Sequence, residues 1–533
     1  MGETAVGKDA GEMKSFALAA LCVALALLSF FQFPGHTWLQ QDTQIYAPIL
    51  EHLRDPAVLR NDILVQRPHV AFTLYDEAAI ALQAASHAGF REVLAAQQIV
   101  TRALGIWGLF MMAQSLGLAW PGSLLVAAIC SLGAAIAGPA VLTFEYEPTP
   151  RAFAVPLLLC AIGLAAQRRH LAAGVAASAA FLYHPPTALP FWTVYGLMAI
   201  WPGKERSALI RALIPLAVSI AILLVAVRAQ ADSGEAQNLF ARLDTSQEFL
   251  QRLRASYVWI SMWPAATILR HLALFAIAAA AFARVRDYID RDLRVLLIGL
   301  SIAGLLSMPL SWLLLEQGKW SLVPQVQPMR ALLFVAFAMQ FLTAAAGARA
   351  LLQRRPVEAF AWFAFAYLLP LEPLMWSRIA LALALAALTA LAGVRWSPAV
   401  ALAAFFAIPM LGGVVNYPRL HTPELAELSA WARANTSRDA VFLFPDINKG
   451  LAPGIFRSDA LRAVFVDWKG GGQVNYLKDL GEQWWFRWQQ TRNFQPADLP
   501  KYAAIGVTYV VLQKPIERSP DFQNRTWFVY RAH

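Results

Sequence analysis

Residues 15–46 read SFALAALCVALALLSFFQFPGHTWLQQDTQIY, and this stretch decides the class of fold. Ser15 to Phe33 carries no charge, and about 20 apolar residues in a helix suffice to cross a bilayer core. A polar leader, MGETAVGKDAGEMK, precedes the run, and no small-residue cleavage site follows it. The run is therefore an uncleaved first span rather than a signal peptide. The first acidic residue beyond it is Asp42.

The same pattern recurs along the chain. Of 533 residues, 58% are hydrophobic and 15% charged, against about 25% charged in soluble domains. We read a polytopic α-helical membrane protein with about thirteen transmembrane helices. They lie near 15–34, 93–117, 121–143, 151–167, 171–184, 187–202, 209–229, 263–283, 295–315, 330–348, 357–373, 378–394 and 398–416. Residues 1–416 form this transmembrane domain, with 35–92 as its first extracytoplasmic loop. Residues 417–533 form a small soluble α/β domain.

Charge sets the orientation. With the N-terminus inside, the inner loops hold Arg168 and Arg169, Lys204, Arg206 and Arg211, then Arg284, Arg286, Arg291 and Arg294, then Arg349, Arg354 and Arg355, and Arg395. The short outer loops hold only Arg151, Lys319, Arg330 and Arg378, the asymmetry expected of a multi-pass protein of a bacterial inner membrane with a cytoplasmic N-terminus. An odd span count puts the C-terminal domain in the periplasm. The net charge of +10 follows from these inner loops and is no sign of nucleic acid. Cys22, Cys130 and Cys160 all lie in apolar runs, so none staples an exported domain.

Two stretches are not spans. In DTQIYAPILEHL, residues 42–53, Ile45, Tyr46, Ile49, Leu50 and Leu53 share a helical face suited to the membrane surface. Residues 69–88 read as a second helix. In the C-terminal domain, LHTPELAELSAWARANT is a helix entered at Thr422-Pro423, and AVFLF, AVFVDW and TYVVLQ are short buried strands. Its aromatic run, Trp484 to Trp488, suits packing in a core or interface, a membrane-facing patch or a ligand surface. Gly470-Gly471-Gly472 reads as a flexible turn.

Candidate site residues cluster at the outer ends of spans, where charge is expensive and usually functional. Asp42 suits a general base or part of a cation site, or caps the helix after it. Asp62, in RNDILVQRPH, is a second acid of the same loop or a turn residue. Asp76 and Glu77 read as a solvated helix face. Glu145, Glu147 and Arg151, in FEYEPTPR, suit a metal or acceptor with Arg on a phosphate, or a local ion pair. His184, in FLYHPPTALP, sits where a helix must break, either lining a site or serving the kink. Arg330, in VPQVQPMRALLF, suits a lipid phosphate or snorkels at the interface, and Gln325 and Gln327 stand beside it. No GxxxxGK[ST], GxSxG, HExxH or Rossmann fingerprint is present in context, so no nucleotide cofactor is expected.

The layout resembles the GT-C superfamily of integral-membrane glycosyltransferases. The resemblance rests on QDTQIYAPILEHLRDPAVLRNDIL (41–64), EYEPTPRAFAVPLLL (145–159), FLYHPPTAL (181–189) and QPMRALLF (327–334). It implies a sugar donor on a polyprenyl phosphate or diphosphate, and transfer with inversion to a glycan, lipid or protein acceptor. It implies that Asp42 is the catalytic base and that Arg330, Arg151 and His184 receive the donor phosphate. Family members often pair two acids in the first loop. Here the sequence is Gln41-Asp42-Thr43, which leaves Glu145, Glu147 or Asp62 to handle the acceptor or a divalent cation, Mg or Mn. A transporter or flippase of lipid-linked anions, or a non-catalytic scaffold of a cell-envelope polysaccharide machine, is the alternative.

Overall fold

A computed structural model describes residues 3–32, 38–66, 73–201, 206–229, 240–368, 399, 403 and 417–533. The expected spans at 378–394 and 398–416, and the end of that at 357–373, fall outside the described residues. So does the start of the helix expected over 69–88, of which Tyr75–Ser86 is described.

The molecule is mostly helical. Among the described residues five helices are long and apolar enough, by length and composition, to cross a membrane: Phe90–Ser115, Arg206–Arg228, Ala265–Tyr288, Arg291–Gln317 and Val323–Leu352. Shorter apolar helices cover Ser15–Ser29, Trp120–Ser131, Pro150–Ala166 and His170–Tyr183. We label those the argument needs. They are α1 (Glu3–Gln32), α2 (Thr43–Arg54), α3 (Tyr75–Ser86), α4 (Phe90–Ser115), α5 (Trp120–Ser131) and α6 (Pro150–Ala166). Then come α7 (His170–Tyr183), α8 (Pro185–Ile200), α9 (Arg206–Arg228) and α10 (Thr245–Arg254).

Alternate packing densities separate inner from outer helices. The apolar part of Val323–Leu352 is wholly buried, whereas Arg206–Arg228 and Ala265–Tyr288 keep most of their apolar surface outward. Between α4 and α6 there is room for no side chain at two glycines. A Cβ on Gly108 would strike the backbone of Leu159 and Cys160, and one on Gly163 the backbone of Gly108. Small residues let apolar helices approach this closely and gain dispersion contact.

The stretch 121–143 is not one continuous helix. α5 holds 12 residues, roughly 18 Å of helix, well short of a bilayer core. Gly133 (φ +77°) and Gly138 (φ +90°) then adopt left-handed backbone, and a hairpin of β1 (Ala135–Ile136) and β2 (Val141–Leu142) follows. Gly133 follows the end of α5 and Gly138-Pro139 turns the hairpin, although the residues between them, Ala134 to Ala137, are all apolar.

Near the C-terminus five strands form one sheet: β3 (Val441–Leu443), β4 (Ala463–Val464), β5 (Tyr509–Leu512), β6 (Phe522–Gln523) and β7 (Phe528–Arg531). Their order is β4-β3-β5-β7-β6. β3 runs parallel to β4 and β5, while β7 is antiparallel to β5 and β6. Alternate residues serve two cores. Phe442, Tyr509, Val511 and Val529 pack on one face; Val441, Leu443, Val510 and Tyr530 pack on the other. A sheet covered on both faces reads as continuous apolar strands, which is how AVFLF and TYVVLQ read. The preceding helix, α11 (Pro423–Asn435), starts at Thr422, whose hydroxyl accepts from the Leu425 amide at 3.2 Å. Trp484 is 1% exposed in this core, while Phe486 points outward.

The loop after α1 is clamped between the apolar helices and this sheet unit. Asp62 is fully buried: its Oδ2 lies 2.6 Å from Arg457 Nε and accepts from the Val464 amide at 2.8 Å. Arg457 Nη2 is 2.5 Å from Asp467. A buried arginine between two carboxylates is expensive to form and more expensive to break. α2 does not lie on a membrane surface, because Ile49 and Leu50 are covered by protein. Asp76 is buried too, rather than on a solvated face.

Candidate functional site

Asp42 is the residue before α2, yet its side chain makes no capping hydrogen bond. It turns instead to Lys469 Nζ, 2.7 Å from Oδ1, and to Arg151 Nη2, 3.8 Å from Oδ2. Its side chain is 37% accessible although protein surrounds it, because it faces an internal cavity of about 580 Å³. Burial would raise this carboxyl; Lys469 and then Arg151 outweigh that and hold it well below the usual carboxylate range.

Glu147 fixes the Asp42 loop. Its Oε1 accepts from the amides of Gln40 (2.9 Å) and Gln41 (2.8 Å) and from Thr43 Oγ1 (2.5 Å), and its Oε2 from the Asp42 amide (2.7 Å). Burial first, then the Asp42 charge, push the Glu147 carboxyl up to about 7 against these donors. Glu145 pairs with Arg151 Nε at 3.2 Å. Its own carbonyl is held by Gln98 Nε2 at 2.7 Å and by Arg102. Pro148 and Pro150 stiffen the rest, and the Tyr75 hydroxyl donates to the Pro148 carbonyl at 2.7 Å.

Arg330 enters the cavity from the turn before the long buried helix Leu332–Leu352. It is 9% exposed and its Nε has no hydrogen-bond partner. The guanidinium lies 5.6 Å from the Tyr257 ring centre. Just before it, Gln327 takes a left-handed backbone (φ +50°), and both polar atoms of its amide are buried without partners. Strain and unpaired donors of this kind persist where a site has been built.

The cavity thus gathers Asp42, Glu145, Glu147, Arg151 and Arg330 from separated stretches of chain. His184 stands outside its lining, within electrostatic reach of Arg151 and Arg330. Its ring accepts from the Thr187 amide at 3.2 Å, so it starts α8 after the break at α7. Asp62 stands outside as well, spent on Arg457. Arg254, Tyr257, Lys469 and Tyr476 join the lining and were not singled out from the sequence. Arg254 and Tyr257 come from α10 and the turn after it, a polar stretch between spans. Lys469 ends AVFVDWK and leads into a 3-10 helix, Lys469–Asn475. The three glycines are therefore not a flexible turn: Gly471 is pressed against Trp484 and Gly472 faces the cavity. Only pairing partners distant in sequence mark these residues, and one sequence does not reveal them.

The carboxylates do not fit a divalent cation. Asp42 and Glu145 are committed to cationic partners, and Glu147 to four donors. Among the described residues no group of three His, Cys, Asp or Glu side chains is placed to hold a metal.

Residues 423–491 match a family described as a domain of unknown function, DUF6798. No curated protein matches the chain. Among solved structures the chain is similar to ArnT from Cupriavidus metallidurans in the apo state, at 13% identity and a TM-score of 0.47, covering 98% of each chain. It is similar to a variant of the arabinofuranosyltransferase AftD from Mycobacteria, at 15% identity and a TM-score of 0.47, over 95% of this chain and 37% of that one. It is also similar to the Archaeoglobus fulgidus oligosaccharyltransferase in the apo form, at 12% identity and a TM-score of 0.41, over 94% of this chain and 70% of that one.

Proposed function

We propose that this chain is a membrane glycosyltransferase that moves a sugar from a polyprenyl-phosphate-linked donor to an extracytoplasmic acceptor. The observation that carries the reading is the cavity's division of charge: an ionised carboxylate, Asp42, beside a buried arginine, Arg330, whose Nε is unpaired. An acceptor hydroxyl attacks the anomeric carbon on the face opposite the phosphate. The bond from that carbon to the phosphate oxygen breaks, and the phosphate leaves with the electron pair. The acceptor's proton passes to Asp42.

A carboxylate held below its usual range is a weak base. It suffices here because the hydroxyl becomes strongly acidic only as its oxygen bonds to carbon, so the proton moves late. Negative charge grows on the leaving phosphate, and fixed guanidinium groups stabilise it with little reorganisation. Arg330 fills that role, and Arg151, shared with Asp42 and Glu145, adds its charge beside it. Glu147 acts one step back by holding the Asp42 loop, and His184 by starting α8.

The test is sugar transfer from polyprenyl-phosphate donors by the purified chain in liposomes, wild type beside Asp42→Asn. We expect transfer by the wild type and none by the variant, with both inserting equally. Transfer by both would remove Asp42 from the mechanism. Absence of transfer by both, across several donors and acceptors, would favour a transporter or a scaffold.

A further inference from the structure

A second cavity, of about 860 Å³, opens beside the far end of α6. Arg151 begins α6 and Arg168 and Arg169 follow its end, so the 17-residue helix sets the two places roughly 25 Å apart. The walls are apolar: Leu104 of α4, Leu157 of α6, and Val175, Ala176 and Ala179 of α7. Where a packed helix would present large side chains, α7 is cut back to alanine, which makes the groove. The mouth is cationic. Arg168 and Arg169 stand on one side and Arg211 of α9 on the other, all exposed. Gly174 seats α7 against the backbone of Ala212, which holds Arg211 beside the N-terminus of α7. His170 at the same mouth is already engaged, 3.0 Å from the Tyr195 hydroxyl and 3.4 Å from Asp292.

We propose that this groove binds an anionic phospholipid of the bilayer leaflet opposite the catalytic cavity. The proposal rests on the chain spanning a membrane and not on its being a transferase. Charge complementarity selects the head group, since three guanidinium groups and a helix N-terminus face one opening. Dimensions select a lipid over a free anion. From His170 to Ala179 the helix rises roughly 14 Å, about half of a ~30 Å hydrocarbon core. An acyl chain lying on Val175, Ala176 and Ala179 therefore ends near the bilayer midplane while its phosphate meets the arginines. In a membrane an apolar groove on this surface is filled by hydrocarbon in any case; the cationic mouth decides whose head group comes with it.

The test uses the full chain in mixed micelles, with native mass spectrometry reading retained phosphatidylglycerol against phosphatidylcholine. Two variants separate head from tail. One is the triple substitution Arg168→Asn, Arg169→Gln and Arg211→Gln at exposed positions, where Asn suits the left-handed backbone of residue 168 (φ +58°). The other, Ala176→Phe, fills the groove and leaves the arginines. We expect wild type to prefer phosphatidylglycerol at least tenfold. The triple variant should lose that preference, and Ala176→Phe should lose retention of both lipids, with elution and melting of each variant unchanged. Equal retention of the two lipids by wild type would overturn the proposal. So would phosphatidylglycerol retention unaffected by Ala176→Phe but displaced by inorganic phosphate, which would indicate a plain anion site.

Discussion

At the scale of single residues, the cavity is organised by which cations are spent. Lys469 and Arg151 neutralise Asp42 and Glu145, while no carboxylate pairs with Arg330 among the described residues. Replacing Arg330 by Lys keeps the charge but loses the planar fork. We expect the KM for the lipid-linked donor to rise by roughly ten- to a hundredfold, the range of one lost charge-assisted hydrogen bond, with acceptor KM unchanged. Steady-state kinetics with each substrate varied in turn checks this; equal effects on both would make Arg330 structural. Lys469 and Arg151 lower the Asp42 pKa, so Asp42 itself stays ionised down through the ordinary carboxylate range. The acid limb of transfer is expected first near 7, where Glu147 gains a proton and loosens its hold on the Asp42 loop. Removing a cation from a carboxylate raises its pKa. The lower limb of the pH–rate profile, that of Asp42, should therefore move to higher pH in Lys469→Met, and a limb that stays put would show that Asp42 is not the group being titrated. Asp42, Glu145, Glu147, Arg151 and Arg330 were legible in the sequence because charge at the edge of an apolar run has few structural excuses. Asp62 looked the same and is different: its partner Arg457 lies 395 residues away, a pairing that local sequence does not encode.

At the scale of elements, hydrophobic periodicity located the long helices within a few residues, and Pro185-Pro186 marked the break at His184. It failed at 121–143, where composition stays apolar while glycine and proline change the backbone. The hairpin there supplies a wall of the cavity, so the error fell beside the functional site, where local rules tend to be broken. The α4–α6 contact makes a sharper demand. Gly108→Val would force a branched side chain into the backbone of Leu159 and Cys160. Overpacking typically costs about 1–3 kcal/mol, and here backbone must move, so we expect a loss of at least that size. A melting temperature in detergent equal to wild type would mean that the helices part easily.

At the scale of the whole molecule, Arg457 holds the sheet unit to the first loop through Asp62 and Asp467. Arg457→Met leaves two buried carboxylates facing each other without a cation. A broken buried pair costs about 3–5 kcal/mol, so we expect a lower melting temperature, faster proteolysis near residue 66 and reduced transfer, because Lys469 rides on the displaced unit. Thermal melting and limited proteolysis check the first two. A change in composition near residue 417 is visible in the sequence; that residues beyond it would close a cavity with the first loop is not. This closure has a consequence in time. Asp42 precedes Lys469 by 427 residues, so during synthesis the carboxylate waits without its ammonium while the helices between them are made. A product interrupted between the two would carry Asp42 and still lack a finished cavity, which makes synthesis of the segment around Lys469 the step that completes the site.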